Sequence, residues 1–359
     1  MNPNKDQDQV THDQDIQADK HEKPPIFIVG GGRSGTTLFR YMMNAHPNIY
    51  ILEEAGFYLW SEAKKKGNEE RRMRRFLNSF SFAWLRIPSE KIFQRFRSSQ
   101  GDPMKEAFVA TMAEKAETYG RSRYGEKNPI YLAFLDKIEH DFPGAPIVNV
   151  VRDPRAQVYS HLTMPFSTPS LLIANFLNKL NYGLIKKAKA RILNIKLENL
   201  VSEPKSVMEK VLEFVDEPWS DRVLNHQQHI LEDDGIPFPW LREAARSRKV
   251  KKKKWKDNMS PAWIRITESW QKEAFKEYGY KPMELEKEPS RLAKWGAILA
   301  DIPVAIFSIF WSFIVLLRIA FTRDEKVEKM QQLYHSFNPG AWSYHDGWNK
   351  RLPTPPPIK

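Results

Sequence analysis

Three groups of residues in this chain could do chemistry on an anion. The first is GGGRSGTT, Gly30 to Thr37, in which four glycines, a serine and two threonines surround Arg33. Apolar Leu38, Tyr41, Met42 and Ala45 follow at helical spacing. The amides of Gly35, Thr36 and Thr37 then open a helix, where unpaired N–H groups and the macrodipole hold a phosphate-like group. The second group lies in VVRDPRAQVYS, Val150 to Ser160, where Arg152 and Ser160 stand two helical turns apart and can meet one anion from two sides. The third is Lys127, in the tripeptide Lys127-Asn128-Pro129, and apart from it stand the adjacent carboxylates Glu53 and Glu54. A carboxylate here could take the proton from an attacking hydroxyl.

These groups need strands to carry them. Ile26 to Val29 and Ile147 to Val151 are continuous apolar runs of β-rich composition, as expected for strands covered on both faces. Each ends where its anion group begins. Asp153 and Pro154 suit the cap and first turn of a helix. Tyr124 to Lys127 reads as the end of a short strand, with Pro129 restricting the adjoining backbone. Glu53 and Glu54 in an extended segment point to opposite sides, so one of them is expected to face a cleft.

The spacing Gly30-x4-Gly35 nearly matches the phosphate loop of nucleoside triphosphatases, but Thr36 fills the lysine position that would reach the β- and γ-phosphates. A loop holding one phosphate-like group with its own Arg33 suits a donor without a triphosphate. On these residues the chain resembles the sulfotransferases that use 3′-phosphoadenosine 5′-phosphosulfate (PAPS). RSGTTLFRYMMNAHP followed by Glu53-Glu54 is similar to the tyrosylprotein sulfotransferases and their bacterial relatives. The resemblance implies that Arg33, Ser34, Gly35, Thr36 and Thr37 hold the 5′-phosphosulfate, and that Arg152 and Ser160 hold the 3′-phosphate. It makes Lys127 the contact to the sulfuryl group and bridging oxygen. It also favours Glu54 over Glu53 as the base, with His46 and His161 as runners-up. The run RSRKVKKKKWK, Arg246 to Lys256, is similar to the family's nucleotide-covering loop, with Trp255 and Lys256 in its Trp-Lys positions and lysines where a glycine and aspartate are usual.

Composition agrees with this reading. The 359 residues accommodate one large α/β domain with extensions, and the net charge of +12 is concentrated, with eight Lys or Arg in Arg246 to Lys256. No nucleic-acid motif accompanies the charge. With no cysteine there is no disulfide, thiol nucleophile or cysteine-based zinc site, which fits a cytoplasmic protein or the cytoplasmic face of a membrane. The expected organisation is a disordered polar tail (1–22), a sulfotransferase domain (23–290), a hydrophobic helix (291–323) and a C-terminal tail (324–359). Within the domain, helical segments between Ala55 and Gly120, together with Met164 to Lys187, are expected to shape the acceptor cleft. The uninterrupted apolar part of the helix, Ile302 to Leu317, is roughly 24 Å long against a bilayer core of about 30 Å. Letting Arg318 snorkel extends it to Phe321. Residues 295–321 are therefore expected to span a membrane, lie on one, or dock on this domain or on a second copy in a homodimer.

The expected fold is α/β: a three-layer, phosphate-loop-like domain with a central parallel sheet flanked by helices, plus a C-terminal hydrophobic helix. The expected reaction is in-line sulfuryl transfer from PAPS to an acceptor hydroxyl on a glycan, lipid or tyrosine. Side-chain cations suffice for the single negative charge of the sulfate, so no metal is called for. Two other readings stay open: a phosphate-loop kinase or nucleotidase, and a nucleotide-binding scaffold without turnover.

Overall fold

The computed structural model describes residues 23–61, 68–164, 167–231 and 254–321. The expected tails 1–22 and 324–359, residues 322–323 and most of the basic run, 246–253, lie outside the described residues.

The apolar runs become the middle of a sheet. Strands β1 (Ile26–Val29), β2 (Ile49–Glu53), β3 (Arg123–Lys127), β4 (Ile147–Val151) and β5 (Ile192–Lys196) are all parallel, in the order β2-β3-β1-β4-β5. Six helices carry the rest of the argument: α1 (Thr36–Asn44), α2 (Pro103–Thr118), α3 (Pro154–Leu162), α4 (Leu171–Lys187), α5 (Pro261–Trp270) and α6 (Arg291–Phe321).

β1 is fully buried, and its two faces feed two cores. Phe27 and Val29 belong to an aromatic core with Phe57, Phe108 of α2 and Tyr131, in which the Phe57 and Phe108 rings stack at 4.3 Å. Ile26 and Ile28 face Leu38 and Met42 of α1, with Met208 and Val211 beyond. Burial on both sides is what a parallel sheet requires, and it yields the three expected layers. α1 and α3 both start where the sequence placed them. Asp153 caps α3, accepting from the Arg155 amide at 2.9 Å, with Pro154 in the first turn.

Because every strand runs the same way, the segments after β1, β2, β3 and β4 leave the sheet at one edge, where ligands of open α/β sheets bind. Register completes the juxtaposition, since Glu53 pairs with Lys127 and Ile28 also pairs with Lys127. α6 runs along α4 and α5, outside these layers.

Candidate active site

Two corners form at this edge. One lies between β2 and β3. Lys127 ends β3 with its side chain completely buried, and its ammonium contacts Oε1 of both Glu53 and Glu54. Arg40 of α1, also buried, reaches Oε2 of Glu53 at 3.3 Å and donates to the Ile51 carbonyl at 2.8 Å. Burial works against the Lys127 charge, but the attraction of Glu53 and then Glu54 outweighs it and holds the pKa above that of an ordinary lysine. Two carboxylates thus face two cations, and their charges cancel.

That both carboxylates reach one lysine corrects the expectation of opposite-facing side chains. Glu54 has φ of +41°, in the left-handed region, so the strand's alternation ends at Glu53. The Glu54 amide donates to the Lys127 carbonyl at 2.9 Å, which fixes the turn. Glu54 remains half exposed and Glu53 less so, leaving Glu54 as the carboxylate presented to solvent.

Glu126 braces this corner from beneath. It is fully buried; its Oε1 accepts from the Gly56 amide and Asn128 Nδ2, both at 3.1 Å, and its Oε2 accepts from the Tyr131 hydroxyl at 2.8 Å. Burial pushes its pKa up to about 7 against these hydrogen bonds, with the Glu54 charge adding to the rise. Its contacts tie the segment after Glu54 to the segment after Lys127. Neither Glu126 nor Arg40 stands out in the sequence, because each reads as an ordinary residue of a strand or helix.

The second corner lies between β1 and β4. Arg33 has φ of +68° and Gly35 has φ of +101° as the residue before α1. Arg33 Nε donates to Ser160 Oγ at 3.2 Å, and Arg152 Nη1 donates to the Arg33 carbonyl at 2.9 Å. The structure therefore gathers Arg33, Arg152 and Ser160 into one cluster around the loop. Asp153 does not pair with Arg152; it holds Arg155 through two hydrogen bonds, at 3.0 and 2.8 Å. Gln157 Nε2 donates to the Gly32 carbonyl at 2.8 Å, a loop contact that sequence reasoning missed.

Two of the glycines are required by the fold itself. A Cβ on Gly31 would sit 2.3 Å from Gln157 Nε2, and one on Gly35 would sit 2.6 Å from the Leu197 side chain. They let the loop close onto its own scaffold. The donor set nevertheless suits an anion. Among the described residues, the buried Ser34 Oγ has no hydrogen-bond partner, and the loop amides, Arg33, Arg152 and Ser160 are all donors.

The histidines are accounted for differently. His46 Nδ1 accepts from the Asn48 amide at 3.2 Å, so Nε2 carries the proton and donates to the Pro218 carbonyl at 2.8 Å. This is a structural histidine. His161 bonds through Nδ1 to Ser167 Oγ at 2.6 Å, and burial, then the charge of Arg33, pushes its pKa down to about 4. Trp255 and Lys256 are not brought into either corner by the contacts described. Trp255 is buried in a core with Val158 and Ile264, and Arg155 lies 4.4 Å from its ring; Lys256 is exposed beside it.

The model of the Sulfotransferase family matches residues 24–221. The protein-tyrosine sulfotransferase of Drosophila melanogaster is 28% identical over 237 residues, covering 63% of this chain and 44% of that protein. Protein-tyrosine sulfotransferase 1 of Danio rerio is 28% identical over 226 residues, covering 60% and 59%. The chain thus spans about half the length of these relatives. Among solved structures, the sulfotransferase domain of the Synechococcus PCC 7002 olefin synthase aligns with a TM-score of 0.49 at 21% identity, over 70% of this chain and 96% of that one.

Proposed function

The chain belongs to the sulfotransferase family, and from that premise we propose that it moves a sulfuryl group from PAPS to an acceptor hydroxyl. The observation that carries this reading is the contact of Lys127 with Glu54 at the same sheet edge as the Arg33 loop. A carboxylate, a cation and a loop of anion donors leaving the sheet at the same edge support a single shared site.

Bound PAPS supplies the activated sulfuryl group. Gly35, Thr36 and Thr37 hold the 5′-phosphate with their amides, and Ser34 Oγ gives it a further donor. Arg152 and Ser160 hold the 3′-phosphate. Arg33 and Lys127 face the charge on the sulfuryl oxygens and the leaving phosphate, where fixed cations act most strongly in a water-poor site. Glu54 takes the proton of the acceptor hydroxyl. Arg40 and Lys127 keep that carboxylate's neighbourhood charge-balanced. Glu126 positions the turn that carries it.

The acceptor belongs to the hydroxyl class. Tyrosine in a protein is the acceptor in the names of the relatives, and a sugar or lipid headgroup fits the same cleft chemistry. The test is transfer of labelled sulfate from PAPS to a panel holding a tyrosine peptide, an oligosaccharide and a hydroxylated lipid. Transfer to one member supports the reading. Preference for ATP with magnesium over PAPS favours the kinase alternative, and nucleotide binding with no transfer to any member favours the scaffold.

A further inference from the structure

α6 is docked the wrong way round for a water-soluble protein. Leu292, Trp295, Leu299, Ile306, Phe310 and Phe313 form one stripe at helical spacing, and each is more than half exposed. The opposite, inward stripe contains Asp301 and Ser308, both buried. Oδ2 of Asp301 accepts from Ser170 Oγ at 2.5 Å and from the Leu172 amide at 3.0 Å, and its Oδ1 accepts from the Leu171 amide at 3.3 Å. It thus satisfies the first N–H groups of α4. Ser308 bonds to Thr168 Oγ1 at 2.9 Å. The polar face holds the protein, and the apolar face is turned outward.

This arrangement decides among the modes open to a long apolar helix. Within Arg291–Ile314 an 18-residue window has a mean hydropathy of 2.0 with 6% of the window buried, enough by length and composition alone to cross a bilayer. Yet the inward contacts run from Ala297, in the core beside α5, to Ser308, so roughly 16 Å of helix at 1.5 Å per residue is committed to the domain. A crossing helix needs about 30 Å free of water-facing protein. Releasing it would also strip Asp301 of three donors and leave a carboxylate in hydrocarbon, which is costly. Lying flat satisfies both faces at once. Lys287, Arg291 and Lys294 cluster around the beginning of the stripe, Trp295 stands near it, and the chain carries a net charge of +12, which together complement an anionic headgroup layer.

We propose that α6 seats this protein on an anionic lipid surface as an in-plane helix, its outward stripe in the headgroup–acyl boundary and its Asp301 face bound to α4. The inference does not depend on which hydroxyl is sulfonated. Because the chain has no cysteine, single cysteines placed by Leu299→Cys, Ile306→Cys and Phe313→Cys can each carry one spin label. The full chain is mixed with vesicles of equal parts phosphatidylcholine and phosphatidylglycerol, and in parallel with phosphatidylcholine alone. The expected result is co-sedimentation with the anionic vesicles, weakened in the neutral ones, with all three labels at one shallow depth. Ile306→Glu combined with Phe310→Glu should lower vesicle binding at least tenfold and leave adenosine 3′,5′-bisphosphate affinity unchanged. A label at 306 near the bilayer centre, with 299 and 313 towards opposite headgroup layers, would overturn the proposal in favour of a spanning helix. No lipid contact, with a doubled solution mass that the double variant abolishes, would overturn it in favour of a second copy.

Discussion

The two corners of the site handle charge in opposite ways. Between β2 and β3, Lys127 and Arg40 face Glu53 and Glu54, and the four charges cancel within hydrogen-bonding range. Between β1 and β4, Arg33 and Arg152 lie together around one loop; Arg33 bonds to a hydroxyl, and Arg152 donates to a backbone carbonyl. A balanced corner can exchange a proton or redistribute charge without a large change in field. A cation-rich corner gains most when an anion arrives. On the proposed reading, the difference assigns turnover to one corner and binding to the other.

Substitutions should break that comparison unevenly. Glu54→Gln is expected to have the largest effect, slowing single-turnover transfer by about 10²–10⁴-fold, the range for a lost general base, with bisphosphate affinity unchanged. Lys127→Met should come next, at about 10²–10³-fold, as for loss of one transition-state donor. It should also lower the urea midpoint, because two carboxylates lose their cation. Arg152→Ala should act on affinity instead, with calorimetry showing a loss of about 1.5–3 kcal/mol for adenosine 3′,5′-bisphosphate. Equal losses of rate and affinity in all three variants would erase the distinction between the corners.

The remaining expected effects are on stability rather than on rate or affinity, and they carry opposite signs. His161 titrates at about 4 in the folded protein against an ordinary 6.5, so its contribution is present above pH 6.5 and is lost as the pH falls towards 4. Glu126 titrates at about 7 against 4.5, so its contribution is full below pH 4.5 and is lost as the pH rises through 7. Urea unfolding of His161→Gln and Glu126→Gln across pH 4 to 8 should flatten the stability profile on the acid side and the neutral side respectively.

Much of the frame was legible in the residues. β1 and β4 announced themselves as apolar runs ending in glycine or arginine, and Asp153-Pro154 marked the start of α3 by its local chemistry. The alternation assumed for Glu53 and Glu54 failed because Glu54's backbone is set by the Lys127 carbonyl, a partner 73 residues away. The packing of Gln157 and Leu197 against Gly31 and Gly35 was hidden for the same reason, since both side chains arrive only with the tertiary fold. Asp301 read as an interruption in an apolar stretch. Its partner, the start of α4, could not be inferred from its own neighbours.

The clasp of Arg152 on the Arg33 carbonyl has a consequence for donor discrimination. The next peptide along supplies Ser34 and then the amides proposed to meet the 5′ end, so on that reading a charge that anchors Arg152 also stiffens the cradle on the far side of the nucleotide. A donor lacking its 3′-phosphate, such as adenosine 5′-phosphosulfate, should therefore not only bind more weakly. It should also react more slowly once bound, because the loop it meets has lost its brace.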